Sequence, residues 1–311
     1  MRTEFALLAW IAFAASLPCP ASAETLRVGA GAPIATIAEA ARRARDGDEV
    51  LILPGRYRDC AVWTASRLRI AAAGPGTVEV TGPICQGKAL FVITGAAVTV
   101  DGITFRDARN AEGNGAGIRA EGDGLTIRRS RFLGNQNGIL TISTLPGGVL
   151  TIEDSAFIGN GALVRECAHG VYAGRLALVT IRRTVFEGTR TCHHVKSRAL
   201  RTEILDSRIL DGPEGDSSYL VDIPNGGGLR LAGTELVKGP RTSNREAAVV
   251  IGAEGASNPA SPIEITGNRV TNLLGRETVF VRNRTTTPAV LTDNRLTGPF
   301  RPLEGPGRVA P

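Results

Sequence analysis

Apolar residues recur along this chain in a short repeating frame. The segments VTVDGITF from Val98, LTIRRSRF from Leu125, LTIEDSAF from Leu150, VTIRRTVF from Val179, TEILDSRI from Thr202, LRLAGTEL from Leu229, IEITGNRV from Ile263 and AVLTDNRL from Ala289 all end on a large apolar residue. Those end residues form the series Phe105, Phe132, Phe157, Phe186, Ile209, Leu236, Val270 and Leu296. Two positions earlier, every copy but the first carries Ser, Thr or Asn: Ser130, Ser155, Thr184, Ser207, Thr234, Asn268 and Asn294. Ahead of each copy lies a second apolar run, with Phe91, Ile118, Ile139, Val171, Val195, Val221, Val250 and Phe280 at the centres. Short runs rich in β-branched residues predict strands. The interval of 21 to 32 residues between successive centres suits one turn of a β-solenoid with loops of variable length. Stacked coil on coil, the Ser/Thr/Asn series can satisfy turn backbone groups and its own neighbours above and below.

A solenoid needs its open apolar ends covered. Thr36-Ile37-Ala38-Glu39 reads as a capping box that opens a short helix through Arg45, with Ile37, Ala40, Ala41 and Ala44 as its apolar stripe. Ahead of it, Arg2, an apolar run from Phe5 to Leu17 and the small residues Ala21-Ser22-Ala23 read as a secretory signal cleaved after Ala23. Pro18 directly before Cys19 is a poor fit to a lipidation box, and no later segment predicts a transmembrane span. The expected organisation is a signal peptide over 1–23, one β-helix domain with its cap over 24–298, and a flexible Pro- and Gly-rich tail over 299–311. Such a chain is expected to be a periplasmic or secreted monomer.

Four cysteines remain after cleavage, an even number in an oxidising compartment. Their positions on neighbouring coils pair Cys60 with Cys85 and Cys167 with Cys192 as disulfides. No CxxC spacing supports a zinc site, no metal is expected, and calcium finds no acidic cluster. The formal charge of +6 favours acidic partners. Nucleic acid is disfavoured by the export signal, which leaves anionic polysaccharide as the expected partner.

The opening GAGAPIATIAEAARRARDGDEVLILPGRYRD resembles the amino-terminal cap of the pectate-lyase-like superfamily of right-handed parallel β-helices, which includes lyases of alginate and dermatan-type chains. The resemblance implies an all-β, single-stranded right-handed parallel β-helix for nearly the whole mature chain, and is specific to fold and not to reaction. HHVKSRA followed by SYLVDIPNGG is similar to a segment of bacterial right-handed β-helix repeat proteins, a likeness that carries no activity.

The scarce residue types gather on one strand position. The chain has three His, three Tyr and three Lys, and His169, His193, His194, Tyr172, Tyr219 and Lys196 fall in or beside the second strand of consecutive coils. Side chains alternate along a strand, so with Val195 inward, His194, Lys196 and Arg198 are expected outward, beside Arg119, Leu140, Tyr172 and Asp222. Coils stack about 4.8 Å apart, so Tyr172, Lys196 and Asp222 can converge on one ligand, while Arg119, about 14 Å away, would reach an adjacent residue of a polymer. An exposed Lys196–Asp222 ion pair, inward bend positions for His169 and His193, and a packing role for Tyr172 are the structural alternatives.

The superfamily's lyases remove the proton beside a uronate carboxylate and expel the glycosidic oxygen, which requires a cation for the carboxylate, a base and a proton donor. The resemblance implies Lys196 as base, helped by Arg198 and His194, with Tyr172 or His194 as donor. Arg119, His169, His193, Tyr219 and Asp222 are the substrate-binding candidates. The Asp-Pro-His-Asp motif of mannuronan epimerases and the adjacent aspartates of galacturonases are absent. The expected function is a lyase or epimerase of a uronic-acid-containing polysaccharide, with a non-catalytic glycan-binding or envelope scaffold as the alternative.

Overall fold

The computed structural model describes residues 23–311. The expected signal segment lies outside them, apart from Ala23. The chain winds into a right-handed parallel β-helix of about 11 turns. Its strands stack into one twelve-stranded and two ten-stranded parallel sheets. Each eight-residue motif copy supplies two strands, one to the twelve-stranded sheet and one to the sheet that carries the phenylalanine series, as in Val149–Glu153 and Ala156–Ile158. The residue between them adopts a left-handed conformation, at Arg129, Asp154, Arg183 and Asp206 as well as at Gly233 and Gly267. The second apolar run builds the remaining ten-stranded sheet, called the site sheet below.

Two ladders lock the register. Phe105, Phe132, Phe157 and Phe186 stack face to face with centroids 5.2, 4.5 and 4.7 Å apart, and Ile209, Leu236, Val270 and Leu296 continue the line. At the turn, each polar side chain accepts the backbone N–H of its counterpart one coil earlier. Ser130 N–H donates to Ser155 Oγ (3.2 Å), Thr184 N–H to Ser207 Oγ (3.2 Å), Thr234 N–H to Asn268 Oδ1 (3.0 Å) and Asn268 N–H to Asn294 Oδ1 (3.1 Å). A slip by one coil position would break every rung at once.

The helix at the start is shorter than expected, Ile37–Arg43, with Ile37, Ala40 and Ala41 buried over the first coil. Thr36 Oγ1 accepts the Glu39 N–H at 3.1 Å, while the Glu39 carboxylate turns to Arg43 instead of closing the box. Residues 299–311, expected as a loose tail, add a last coil: Phe300–Glu304 pairs with the site sheet and Gly307–Ala310 with the twelve-stranded sheet. Phe300 and Leu303 pack against the end of the core, which holds this last coil in place despite the prolines. Both disulfides form as expected, with Cα atoms 5.5 Å apart for Cys60–Cys85 and 5.8 Å for Cys167–Cys192. Among the described residues no helix is long and apolar enough to cross a membrane.

Phe157 is 1% exposed between two stacked rings. Phe157→Ala is expected to cost about 3–5 kcal/mol through lost burial and an unfilled cavity. Urea unfolding measures it, and a loss below about 1 kcal/mol would show that the stack is not a principal source of stability.

Candidate functional site

Strand pairing on the site sheet aligns Arg119, Leu140, Tyr172, Lys196 and Asp222 in one column on the outer face. A second column runs beside it. The rings of His169 and His193 stack at 4.9 Å and 11°, those of His193 and Tyr219 at 5.2 Å and 4°, and His169 meets Tyr172 edge-on at 5.0 Å. The Cys167–Cys192 bridge ties together the two coils that carry both histidines.

Hydrogen bonds set the state of these imidazoles. The His193 backbone N–H donates to His169 Nδ1 (3.2 Å), and the Tyr219 N–H to His193 Nδ1 (3.1 Å). A neutral imidazole that accepts at Nδ1 carries its proton on Nε2. His193 Nε2 lies 3.5 Å from Asp222 Oδ2. Burial, reinforced by neighbouring positive charge from Lys196, holds His169 well below the usual imidazole value and His193 down to about 3.

Asp222 lies at the centre, 2% exposed. Its Oδ2 is 3.2 Å from Lys196 Nζ, and its Oδ1 is buried with no hydrogen-bond partner. Burial raises its pKa against the opposing pull of Lys196. Lys196 also donates to Glu254 Oε1 at 2.6 Å. Glu254 Oε2 accepts from Arg198 Nη2 at 2.7 Å, and Arg198 donates from Nε to Tyr172 Oη (3.1 Å) and from Nη1 to Asn225 Oδ1 (2.7 Å). Partial burial pushes the Glu254 carboxyl up, but the hydrogen bonds from Lys196 and Arg198 outweigh it and hold it below the usual value. A continuous polar chain therefore runs from His193 through Asp222, Lys196, Glu254 and Arg198 to Tyr172.

Beside Tyr172 and Arg198 opens a cleft of about 380 Å³, with Arg119 and Arg175 on its walls and Glu166 as its acid. Arg119 is also paired with Glu121 at 3.1 Å. Three guanidinium groups around one cleft favour an extended anion. Among the described residues, no group of three or more His, Cys, Asp and Glu is arranged to hold a metal ion.

His194 does not share this face. It is wholly buried inside the coil, with Nδ1 2.7 Å from Thr189 Oγ1 and Nε2 3.0 Å from Asp211 Oδ1. Alternation fails here because two successive residues, His194 and Val195, both face the interior at the corner where the strand begins. The register places Gly117, Gly138 and Gly170 at the same corner on earlier coils. There the phenylalanine stack leaves no room: a Cβ on Gly138 would lie 2.6 Å from Phe157. On the next coil the column residue shrinks from Phe186 to Ile209, and the imidazole takes the freed volume. Val250 and Phe280 are further corrections: Val249 pairs with Val221 and Val281 with Val249, so Val250 stands in the outer column after Asp222 and Phe280 lies one residue before the centre.

Glu254, Asn225, Arg175 and Glu166 were missed because they lie in connections outside the strand frame. The third lysine, Lys238, is buried in the interior and donates to the Ser217 and Ser218 carbonyls at 2.9 and 2.7 Å.

No family model and no curated protein matches the chain. Among solved structures it is similar to ORF18 of Geobacillus virus E2, with a TM-score of 0.53 and 15% identity over 85% of this chain and 53% of that one. The likeness agrees with the parallel β-helix seen in the strand topology. The chain thus spans about half the length of the viral protein. More distant structures are Escherichia coli YbhC (TM-score 0.41, 13% identity, 91% of this chain and 74% of that one) and a pectin methylesterase in complex with a hexasaccharide (0.34, 12%, 89% and 80%). At these identities the likeness is one of fold alone.

The two outer histidines give the stability a pH dependence. Unfolded histidine takes a proton near 6.5, whereas folded His193 does so only near 3, so the unfolded state binds more protons in that window and stability falls as the pH drops through it. Asp222, shifted up, acts in the opposite sense above the usual carboxylate value. Between pH 7 and pH 5, His193 alone should cost about 2 kcal/mol. Urea unfolding at the two pH values should show this loss in the wild type and a smaller one in His193→Gln. Equal losses in both proteins would refute the assignment of a buried neutral imidazole.

Proposed function

We propose that this protein acts on an acidic, uronate-bearing polysaccharide that lies along the outer face of the site sheet, by β-elimination or by epimerisation beside the sugar carboxylate. The observation that carries this reading is the cleft lined by Arg119, Arg175 and Arg198, which runs up to Tyr172 and to Arg198, itself joined to Lys196 through Glu254. Cations on successive coils suit the repeated carboxylates of an extended chain.

In the elimination, Lys196 and Arg198 neutralise the carboxylate and so stabilise charge that develops when the neighbouring C–H proton leaves. Tyr172 Oη, which accepts from Arg198 Nε at 3.1 Å, faces the cleft and, as the phenolate, is the base. It takes that proton, the freed electron pair forms the ring double bond and expels the glycosidic oxygen, and the proton returns to that oxygen. Lys196, already a donor to Asp222 and Glu254, suits charge neutralisation better than the role of base. Asp222 and His193 sit behind the lysine and fix it. In epimerisation the same carbanion is reprotonated from the opposite face.

A second reading, a glycan-binding or envelope scaffold without turnover, is favoured by one observation: the charges at the centre already neutralise one another through Glu254. Incubation with polyuronates and acidic exopolysaccharides, followed by ultraviolet detection of unsaturated ends, separates the two. Tyr172→Phe should lower elimination about 100-fold or more with binding intact, and Arg175→Ala should weaken binding by about tenfold. Tight binding without unsaturated ends or epimerised sugars leaves the scaffold reading. Absence of any binding to acidic polymers overturns both.

A further inference from the structure

Glu254 joins an exposed carboxylate to two cations that are more covered than it is. Its side chain is 45% exposed, whereas those of Lys196 and Arg198 are 11% and 20% exposed. One carboxylate places one oxygen on each cation, at 2.6 and 2.7 Å. Both cations are anchored independently of it. Lys196 keeps Asp222, and Arg198 keeps Tyr172 and Asn225. The clamp is therefore preformed, and Glu254 is its occupant and not its support.

The backbone that delivers Glu254 is fixed. Its own N–H donates to Pro224 O at 2.9 Å, and Asn258 Nδ2 donates to the carbonyls of Arg198, Ala199 and Gly226 at 3.2, 3.0 and 3.0 Å. Gly252 and Gly255, both left-handed, frame a tight turn around Glu254. Only the Glu254 side chain has to rotate to open the clamp, and it rotates toward solvent. The arginine-lined cleft ends at Arg198 and Tyr172, so a ligand lying in it reaches the clamp directly.

We propose that Lys196 and Arg198 form a carboxylate subsite and that Glu254 is its built-in occupant, displaced by the carboxylate of a bound uronate. The proposal rests on the polysaccharide reading above for its natural ligand, but the clamp can be tested without a sugar. Replacement of one carboxylate by another keeps both cations compensated, whereas a neutral or esterified sugar would leave Arg198 without a carboxylate and Lys196 with Asp222 alone. Glu254 thus sets specificity: it yields to an acid and stays in place against an ester.

Calorimetry with tri-galacturonate and its fully methyl-esterified form provides the first test, on the whole protein and its Glu254→Ala and Glu254→Gln variants. Removal of an internal competitor that fills the clamp most of the time should tighten binding of the acid by about tenfold and leave the ester unchanged. Acetate provides the second test. It should raise the melting temperature of Glu254→Ala above that in chloride of equal ionic strength, and not that of the wild type. If acid and ester respond alike to Glu254→Ala while Arg175→Ala weakens both, the clamp is overturned and the cleft reading survives. If no trisaccharide binds but acetate stabilises Glu254→Ala selectively, the clamp stands and the polysaccharide reading falls. Variants indistinguishable from the wild type in both tests overturn the proposal.

Discussion

In-register stacking of one coil on the next is the constraint on which everything else here depends. A parallel ladder alone tolerates slippage, because its backbone hydrogen bonds are the same in every register. Side chains remove that freedom. The four stacked phenylalanines fill the interior at one position per coil, and the Ser/Thr/Asn ladder satisfies turn N–H groups that would otherwise be orphaned in the interior. Because both ladders fix each coil to within one residue, any outer column is fixed as well. Tyr172, Lys196 and Asp222 come from segments about 25 residues apart, yet they meet at strand spacing without any loop to bring them together.

That placement has an electrostatic consequence. An outward column on a flat sheet would leave its charges in water, where an ion pair contributes little. Here Asp222, His193 and Lys196 are nearly covered, so their interactions are strong and their uncompensated charge is costly. The site answers with near-neutrality: two neutral imidazoles, two carboxylates and two cations linked in one chain. The unpartnered Asp222 Oδ1 is the one place where that compensation is incomplete. A group left short of a partner in an otherwise closed network is where a bound molecule gains most.

Much of this was legible in the sequence, because a solenoid turns one-dimensional periodicity into columns. The phenylalanine series, the polar turn series, both disulfides and the neighbourhood of Tyr172, Lys196 and Asp222 all follow from aligning the repeats. What was not legible lay where local alternation gives way to the shape of the coil. Strict alternation turned His194 outward, although Gly117, Gly138 and Gly170 at the same corner mark an inward position crowded by neighbouring backbone and rings. Glycine accompanies Phe132, Phe157 and Phe186, while Leu90 beside Phe105 and His194 beside Ile209 show that the corner also admits a buried side chain. Val250 slipped by one for a related reason: in the run AAVVI every residue is apolar, so hydrophobicity cannot choose between faces. Glu254 escaped because a loop residue has no register, and its partners emerge only when the turn around it is folded.

The misplacement of His194 bears on how the remaining site should work. A catalytic imidazole beside Lys196 would have offered proton transfer near neutral pH, but this one is sealed in the interior between Thr189 and Asp211, and the two that do face outward are held neutral by burial. On the proposed reading, proton transfer at the cleft falls to Tyr172, whose oxygen combines access to the cleft with a guanidinium contact. The histidine stack keeps a different role. Its rings receive successive backbone N–H groups and support Asp222 from one side, so that the carboxylate, and through it Lys196, stays in place when Glu254 departs. Rigid support behind the cations and a single rotatable carboxylate in front of them is the arrangement a site needs if it is to exchange one acid for another without disturbing the fold that carries it.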